Sequence, residues 1–474
     1  MSTDTRSQQK SAYGEIVIAE GTPQVSGNAV YNFIPSNFRT FLDGTGTAVA
    51  EDNVFKVSSG TALGNYGTIR SFRSLNYQTG QGATVRLCAM FNNAEALTWS
   101  GAGVINIGDE FSFGYNGLDF GIWHRYGGRA EVQDLTISSG AGGNETATIT
   151  INSVVYSVPL TAGTVQHNAF EIEQYLDANG VGFGDEQIDD IVRIDFTSDG
   201  NKAGTFSFSS ATAAASFSEV TAGVTKTSEH IPMDKWNGAL LRDFDPAKGN
   251  TYSIVYQNGY GDAHFIIEDD SGTNREVHTI NWSNNQTVPN LSNPSIHVGI
   301  YATSIGATTA VTVESPYMAG FINGRVAPTR NPRAYDNTKS IGTTLTNILT
   351  LRCSRTYNGM HNQVEIMPLS ITLTNDGNKG AIFELRANAT VAGETNFQEA
   401  GTNLVSEIDL SGTTVTEDGR YLGSWAVARL SSIVINLKDL DIRVPPSLRL
   451  IIAGKMTSGS SADLSATIIW YEDV

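Results

Sequence analysis

Carboxylates are the first side chains to weigh in this 474-residue chain. A β-sandwich hydrolase cleaves glycosidic bonds with two carboxyl groups on one sheet face, and strand spacing i, i+2, i+4 is the economical way to align an acid, a helper and a nucleophile. No stretch supplies that triplet. Pairs exist instead: Glu407 with Asp409, Asp439 with Asp441, and Glu171 with Glu173. Solvated surface positions are expected for them. The seven histidines (His124, His167, His230, His264, His278, His297 and His361) have no second His or Cys at the three-to-five spacing of zinc sites. Asp243 and Asp245, and Glu268, Asp269 and Asp270, could offer oxygens to calcium but lack the register of a calcium loop, so charged turns are expected. A G-x-S-x-G elbow is absent, and GTGT and GAGG lack the lysine and helix that cradle phosphate. These residues predict no catalytic group, no metal, no cofactor and no enzyme.

The remaining chemistry is recognition. Trp123, His124, Arg125 and Tyr126 are consecutive. An aromatic face beside a guanidinium suits a sugar ring, which needs an apolar surface to stack on and donors for its hydroxyls. Trp123, Arg125 and Tyr126 are therefore the candidate glycan contacts, although strand alternation buries half of such a run.

Stepping along the chain, period-two alternation dominates. In DEFSFGYNGLDFGIWHRY, from Asp109 to Tyr126, the residues Phe111, Phe113 and Tyr115 share one face. Asn116-Gly117 offers the pair with φ > 0 that a two-residue hairpin prefers. The return strand sends Leu118, Phe120, Ile122 and His124 one way and Asp119, Trp123 and Arg125 the other. Further alternation at Tyr252–Tyr256, in SLRLIIAG and in LSATIIWYED, with turn dipeptides such as Asn258-Gly259, Asn358-Gly359 and Asp418-Gly419, predicts sandwiches. One helix is expected over Asn168–Gly180, capped by Asn168 and closed by Gly180.

Composition bounds the partners. With 48 acidic against 30 basic residues the net charge is -18, which repels phosphate backbones and anionic membranes, so no nucleic acid is expected. Met1 to Glu20 has no apolar h-region, and no run reaches the ~18 residues of a membrane span, so no membrane insertion is expected. Cys88 and Cys353 lie in separate strand-like runs and are expected as buried free thiols.

The organisation follows: an N-terminal segment 1–32 for attachment or oligomer contact; a β-sandwich 33–325 interrupted by a β-β-α-β-β package at 132–224; a linker 326–340 around RVAPTRNPR; and a second, independent β-sandwich 341–474. The ordered motifs NYGTIRSFRSLNYQTGQGATVRLCAMF, FSFGYNGLDFGIWHRYGG, MDKWNG, FDPAKGNTYSIVYQNGYGDAHF, LSNPSIHVGIYATSIG and AGFINGR resemble an uncharacterised virion-protein family of tailed phages and large aquatic DNA viruses. The resemblance runs from about Asn65 to Val474. It implies an all-β chain, a concanavalin-like jelly-roll sandwich with an inserted small α+β domain followed by a second β-sandwich. It also implies a structural or tail-associated role on the virion after synthesis in the host cytoplasm, and carries over no catalytic residue. The expected partners are other virion proteins, further copies of the chain with a trimer favoured, and a host-surface glycan.

Overall fold

The computed structural model describes residues 21–30, 37–75, 77, 80–323, 332–394, 396–440 and 442–472. They are almost all β, in antiparallel sheets, with the sandwich and inserted α+β package that the sequence predicts. The described residues form two compact units, one within 1–128 and 225–328 and the other within 129–224 and 329–474.

The first unit is a two-sheet sandwich. Its seven-stranded sheet runs Thr227–Pro232, Asp119–Tyr126, Glu110–Asn116, Thr98–Ile105, His297–Ser304, Tyr66–Ser71, Phe38–Asp43. The facing nine-stranded sheet is centred on Ala83–Phe91, which pairs with Asn250–Tyr256, Thr312–Ser315 and Tyr317–Ile322. Alternation fills the space between them: Phe111, Phe113, Ile122 and Val104 of one sheet meet Leu87, Tyr252, Ile254 and Phe265 of the other. The hairpin turn is displaced by one residue from its expected place. Asn116 pairs with Asp119 as the last strand residue, so the turn is Gly117-Leu118, and Gly117 takes the positive φ of 62°.

The second unit joins the inserted package to the C-terminal sandwich. The package is inserted as expected between two paired strands of the first sandwich, Asp119–Tyr126 and Thr227–Pro232, and it groups by contact with residues 329–474. Contacts from the package to the last sandwich, described below, are the physical reason. The package begins where Arg129 and Val224 exchange two backbone hydrogen bonds of 2.8 Å. Its helix spans Val165–Asn179, one turn earlier than the sequence suggests. Thr164 is the cap, its hydroxyl accepting from the His167 amide, while Asn168 is buried inside the helix and ties Ala141 to Thr161. Gly180 is extended, at φ -68°, rather than left-handed.

The C-terminal sandwich packs a four-stranded sheet (Pro332–Ile341, Ala462–Glu472, Ile366–Asn375, Ser431–Asn436) on a six-stranded one centred on Thr346–Cys353 and Arg449–Met456. Ile348, Leu351, Phe383, Leu373 and Trp470 are among its buried core.

Two boundaries move. The expected linker 326–340 contains most of a ten-residue strand, Pro332–Ile341, paired along its whole length with Ala462–Glu472. Its outward polar residues hid it, and its proline sits at the first position, where a strand tolerates one. The expected attachment segment 1–32 contributes the strand Thr22–Asn28, which pairs with Tyr317–Ile322 inside the first sandwich. The rest of that expectation, residues 1–20 and 31–32, lies outside the described residues.

Candidate functional site

The flagged run falls on the strand Asp119–Tyr126, and alternation divides it. His124 faces the core, stacked on Phe111 at 4.8 Å, with its Nε2 2.9 Å from the Asn290 carbonyl oxygen. Burial holds its pKa down at about 4, so the ring is neutral. Tyr126, half-buried, stacks on His124 at 4.6 Å with Trp282 edge-on.

Trp123 and Arg125 point to the opposite face of the sheet, yet they are only 3% and 6% exposed. Arg125 Nη1 donates to Glu110 Oε2 at 2.8 Å and lies 3.2 Å from Tyr301 Oη, and Nε donates to Ser228 at 3.0 Å. Glu110 accepts further from Tyr301 at 2.9 Å and from Ser112. The guanidinium lies 4.0 Å from the Trp123 ring centroid, and Trp99 meets Trp123 edge to face at 6.0 Å. Tyr301 lies across Gly101, where a Cβ would meet its ring at 2.4 Å, so the glycine makes room for this lid. Burial opposes the Arg125 charge, but Glu110 and Tyr301 hold its pKa above the ordinary value, and burial pushes the Tyr301 phenol well up.

His230 covers more of Trp123 at 4.6 Å. The arrangement locks an ion pair beneath aromatic plates and gives Trp123 and Arg125 no open stacking surface. One atom stands apart: Arg125 Nη2 is buried with no hydrogen-bond partner among the described residues.

A second cluster, unmarked in the sequence reading, lies inside the second unit. Arg352 donates to Glu407 at 2.7 Å, contacts Glu186 at 3.3 Å, donates to the Gln187 carbonyl at 2.8 Å, and stacks 3.6 Å over Phe397. Arg355 donates its amide to Glu186 at 3.0 Å and its Nε to Asp195 at 2.9 Å. It crosses Gly184 so closely that a Cβ there would sit 1.7 Å from its Nη2. His361 Nδ1 lies 3.3 Å from Asp195. Glu186, Gln187 and Asp195 belong to the inserted package and the arginines to the C-terminal sandwich, so this network clamps the two together.

Burial first, and then the neighbouring Glu407 charge, raises the Glu186 carboxyl to about 8. The charge of Asp195 holds Arg355 above its usual value despite burial.

This corrects the expectation of solvated carboxylates at Glu407 and Asp409. Both are buried: Glu407 by its bonds to Arg352, and Asp409 because it accepts from the Asn396 amide at 2.6 Å and the Gly412 amide at 2.9 Å. Glu171 closes the turn before the helix by accepting from the Thr161 amide. Asp439 is exposed, and Asp441 lies outside the described residues. Only the arginine pairing could have marked Glu407, and that partner is distant in sequence.

The chain gathers Asp243, Glu268, Asp269 and Asp270 around one surface recess. Asp269 is consumed by its own turn: the Ser271 hydroxyl at 2.6 Å, then Arg275 at 2.7 Å and the Thr273 and Ser271 amides, hold its carboxyl far below the usual range. Among the described residues no group of three or more His, Cys, Asp or Glu side chains is arranged to hold a metal. No described helix is long and apolar enough to cross a membrane.

No family model and no curated protein matches the chain. Solved structures resemble it distantly. One is a structure from work on endo-acting O-glycanases of the human gut microbiota, at 10% identity over 63% of this chain and 99% of that one, with a TM-score of 0.29. Another is lectin I from Ulex europaeus bound to a fucoside, at 10% identity over 63% and 98%, with a TM-score of 0.24. A third is from the Sulfolobus turreted icosahedral virus, at 8% identity over 98% of each chain, with a TM-score of 0.16. At these scores the likenesses carry no argument about function.

Proposed function

We propose that this chain is a non-enzymatic structural protein exposed on a virus particle, as part of a fibre, a spike or a capsid or tail decoration. The observation that carries the reading is the closure of its chemistry. In the Arg125–Glu110–Tyr301 and Arg352–Glu186–Glu407 clusters the charged groups face each other under aromatic cover, with Arg125 Nη2 left over. Buried ion pairs of this kind add rigidity and register rather than a reactive group. Extensive nonlocal strand pairing suits a part that folds once and then persists. The order of motifs that resembles a virion-protein family supports the location.

The test is peptide mass spectrometry of purified particles, with immunogold labelling by antibody to the chain. The expected result is a stoichiometric particle component, labelled on intact particles. Absence from particles, or hydrolysis of a polysaccharide that is lost on replacing one of the carboxylates named above, would sink the reading.

A second reading, glycan contact during host attachment, has one observation in its favour: the half-buried Trp99 beside the unpartnered Nη2 of Arg125. A glycan array probed with the intact chain and with Trp99→Ala decides it. Signal lost in the variant supports contact through this sheet face, and no signal from either leaves the structural role alone.

A further inference from the structure

The C-terminal sandwich has four sheet edges, and they are built in two ways. One edge, Pro332–Ile341, carries Pro332, Arg333, Asp336 and Lys339. A second, Gln398–Glu399, is only two residues long and ends in a charge. Both follow the devices by which natural sheets keep other strands away. The remaining two edges, Arg420–Val427 and Ser431–Asn436, are consecutive in the chain and touch each other. Arg420 is the one charged residue in the eight of the first and the six of the second.

Ser431–Asn436, SSIVIN, is the barer of the two. Ile433 and Ile435 pack on the core, while Val434 is 72% exposed, with Leu430 at 66% and Tyr421 at 53% nearby in the chain. Its paired neighbour, Ile366–Asn375, is also without charge. Among the described residues this β-branched, uncharged strand has no partner on its outer side, and such a row of backbone donors and acceptors invites another strand.

A second copy of the same chain fits that row. Backbone pairing asks only for another strand, and an identical strand supplies it in antiparallel register about a two-fold axis, each residue meeting its counterpart's surroundings. Charge argues the same way. Two copies at -18 each repel, and they can approach closely only where charge is sparse, as it is on this strand and its neighbour. We propose that Ser431–Asn436 pairs antiparallel with the same strand of a second copy, joining two four-stranded sheets into one. Pairs, rather than the trimer expected from the sequence, are the unit this edge builds. The inference is independent of where the protein resides.

The test is the solution mass of the full chain by light scattering over a range of micromolar concentrations, for the wild type, Val434→Lys, Ser432→Lys and the control Ser340→Lys on the guarded edge. Positions 432, 434 and 340 are all exposed, so each lysine is accommodated in the folded subunit. The expected result is a two-chain mass that halves in Val434→Lys and Ser432→Lys and is unchanged in Ser340→Lys. A wild type that is monomeric throughout, a three-chain mass, or a two-chain mass unmoved by the two lysines on 431–436 overturns the proposal.

Discussion

Arg125 and Arg352 are both buried arginines held by carboxylates and roofed by aromatic rings, but their partners come from different distances. Arg125 meets Glu110 on the adjacent strand, fifteen residues away, and the bond stays within one face of one sheet. Around Arg352 and Arg355, Glu407 comes from the adjacent strand, as Glu110 does for Arg125, but Glu186 and Asp195 come from the inserted package. The Arg355 bonds to Asp195 and Glu186 span 160 and 169 residues. The first cluster stiffens a sheet that hairpin contacts already define. The second decides which part of the chain the package belongs to, and it does so with charges that have no value until the two pieces meet.

The largest effect is expected from Arg352→Met. It leaves Glu407 buried without the guanidinium that faces it, beside Glu186, at a cost of about 3–5 kcal/mol, read as a lower denaturant midpoint for the second unit. Adding Glu186→Gln and Glu407→Gln in the same chain should restore most of that loss; if it does not, packing rather than charge holds the joint. Arg125→Met strands a single carboxylate and should cost the first unit about 3 kcal/mol while leaving the second unit's transition in place. Equal losses from the two arginines would break the distinction drawn here.

Titration should separate the units in opposite directions. Glu186 is raised from 4.5 to about 8 by burial, so the folded form holds a proton that the unfolded chain releases. That stability is complete below pH 4.5 and is lost as the pH rises through about 8. In the first unit, burial lowers His124 from 6.5 to about 4, and burial with Arg70 and Arg39 lowers His297 to about 3. Their stability is present above pH 6.5 and is lost as the pH falls through those values. Calorimetry from pH 4 to 9 should show one transition weakening toward acid and the other toward alkali, with Glu186→Gln flattening the alkaline fall. Parallel movement of both transitions would refute the assignment.

Smaller changes sharpen the contrast further. Gly184→Ala forces Arg355 off its path and should cost the second unit about 1–3 kcal/mol by overpacking, detectable as a lower Tm. Thr164→Ala removes the helix cap and should cost about 1 kcal/mol, again in the second unit alone.

Much of the fold was legible. Phe111, Phe113, Ile122 and Tyr252 alternate as core residues must, and Asn358-Gly359 takes the positive φ angles, 49° and 71°, that its hairpin requires. The helix was found but its start was not, because Asn168 is as good a cap in isolation as Thr164 and only the Ala141 and Thr161 contacts draw its side chain inward. The recognition run was visible as residue types, whereas its burial was not. Tyr301 and Trp99 reach it from strands that the sequence places 176 and 24 or more residues away.

What the sequence determined by itself is what depends on neighbours along the chain: strand alternation, turns, the all-β class and the single helix. Tertiary structure alone decided that Glu407 is buried, that Arg125 is roofed, and that the package of residues 129–224 joins the C-terminal sandwich. Each of these turns on a charge or ring brought from a remote strand, and a carboxylate reads the same in sequence whether water or a guanidinium will satisfy it.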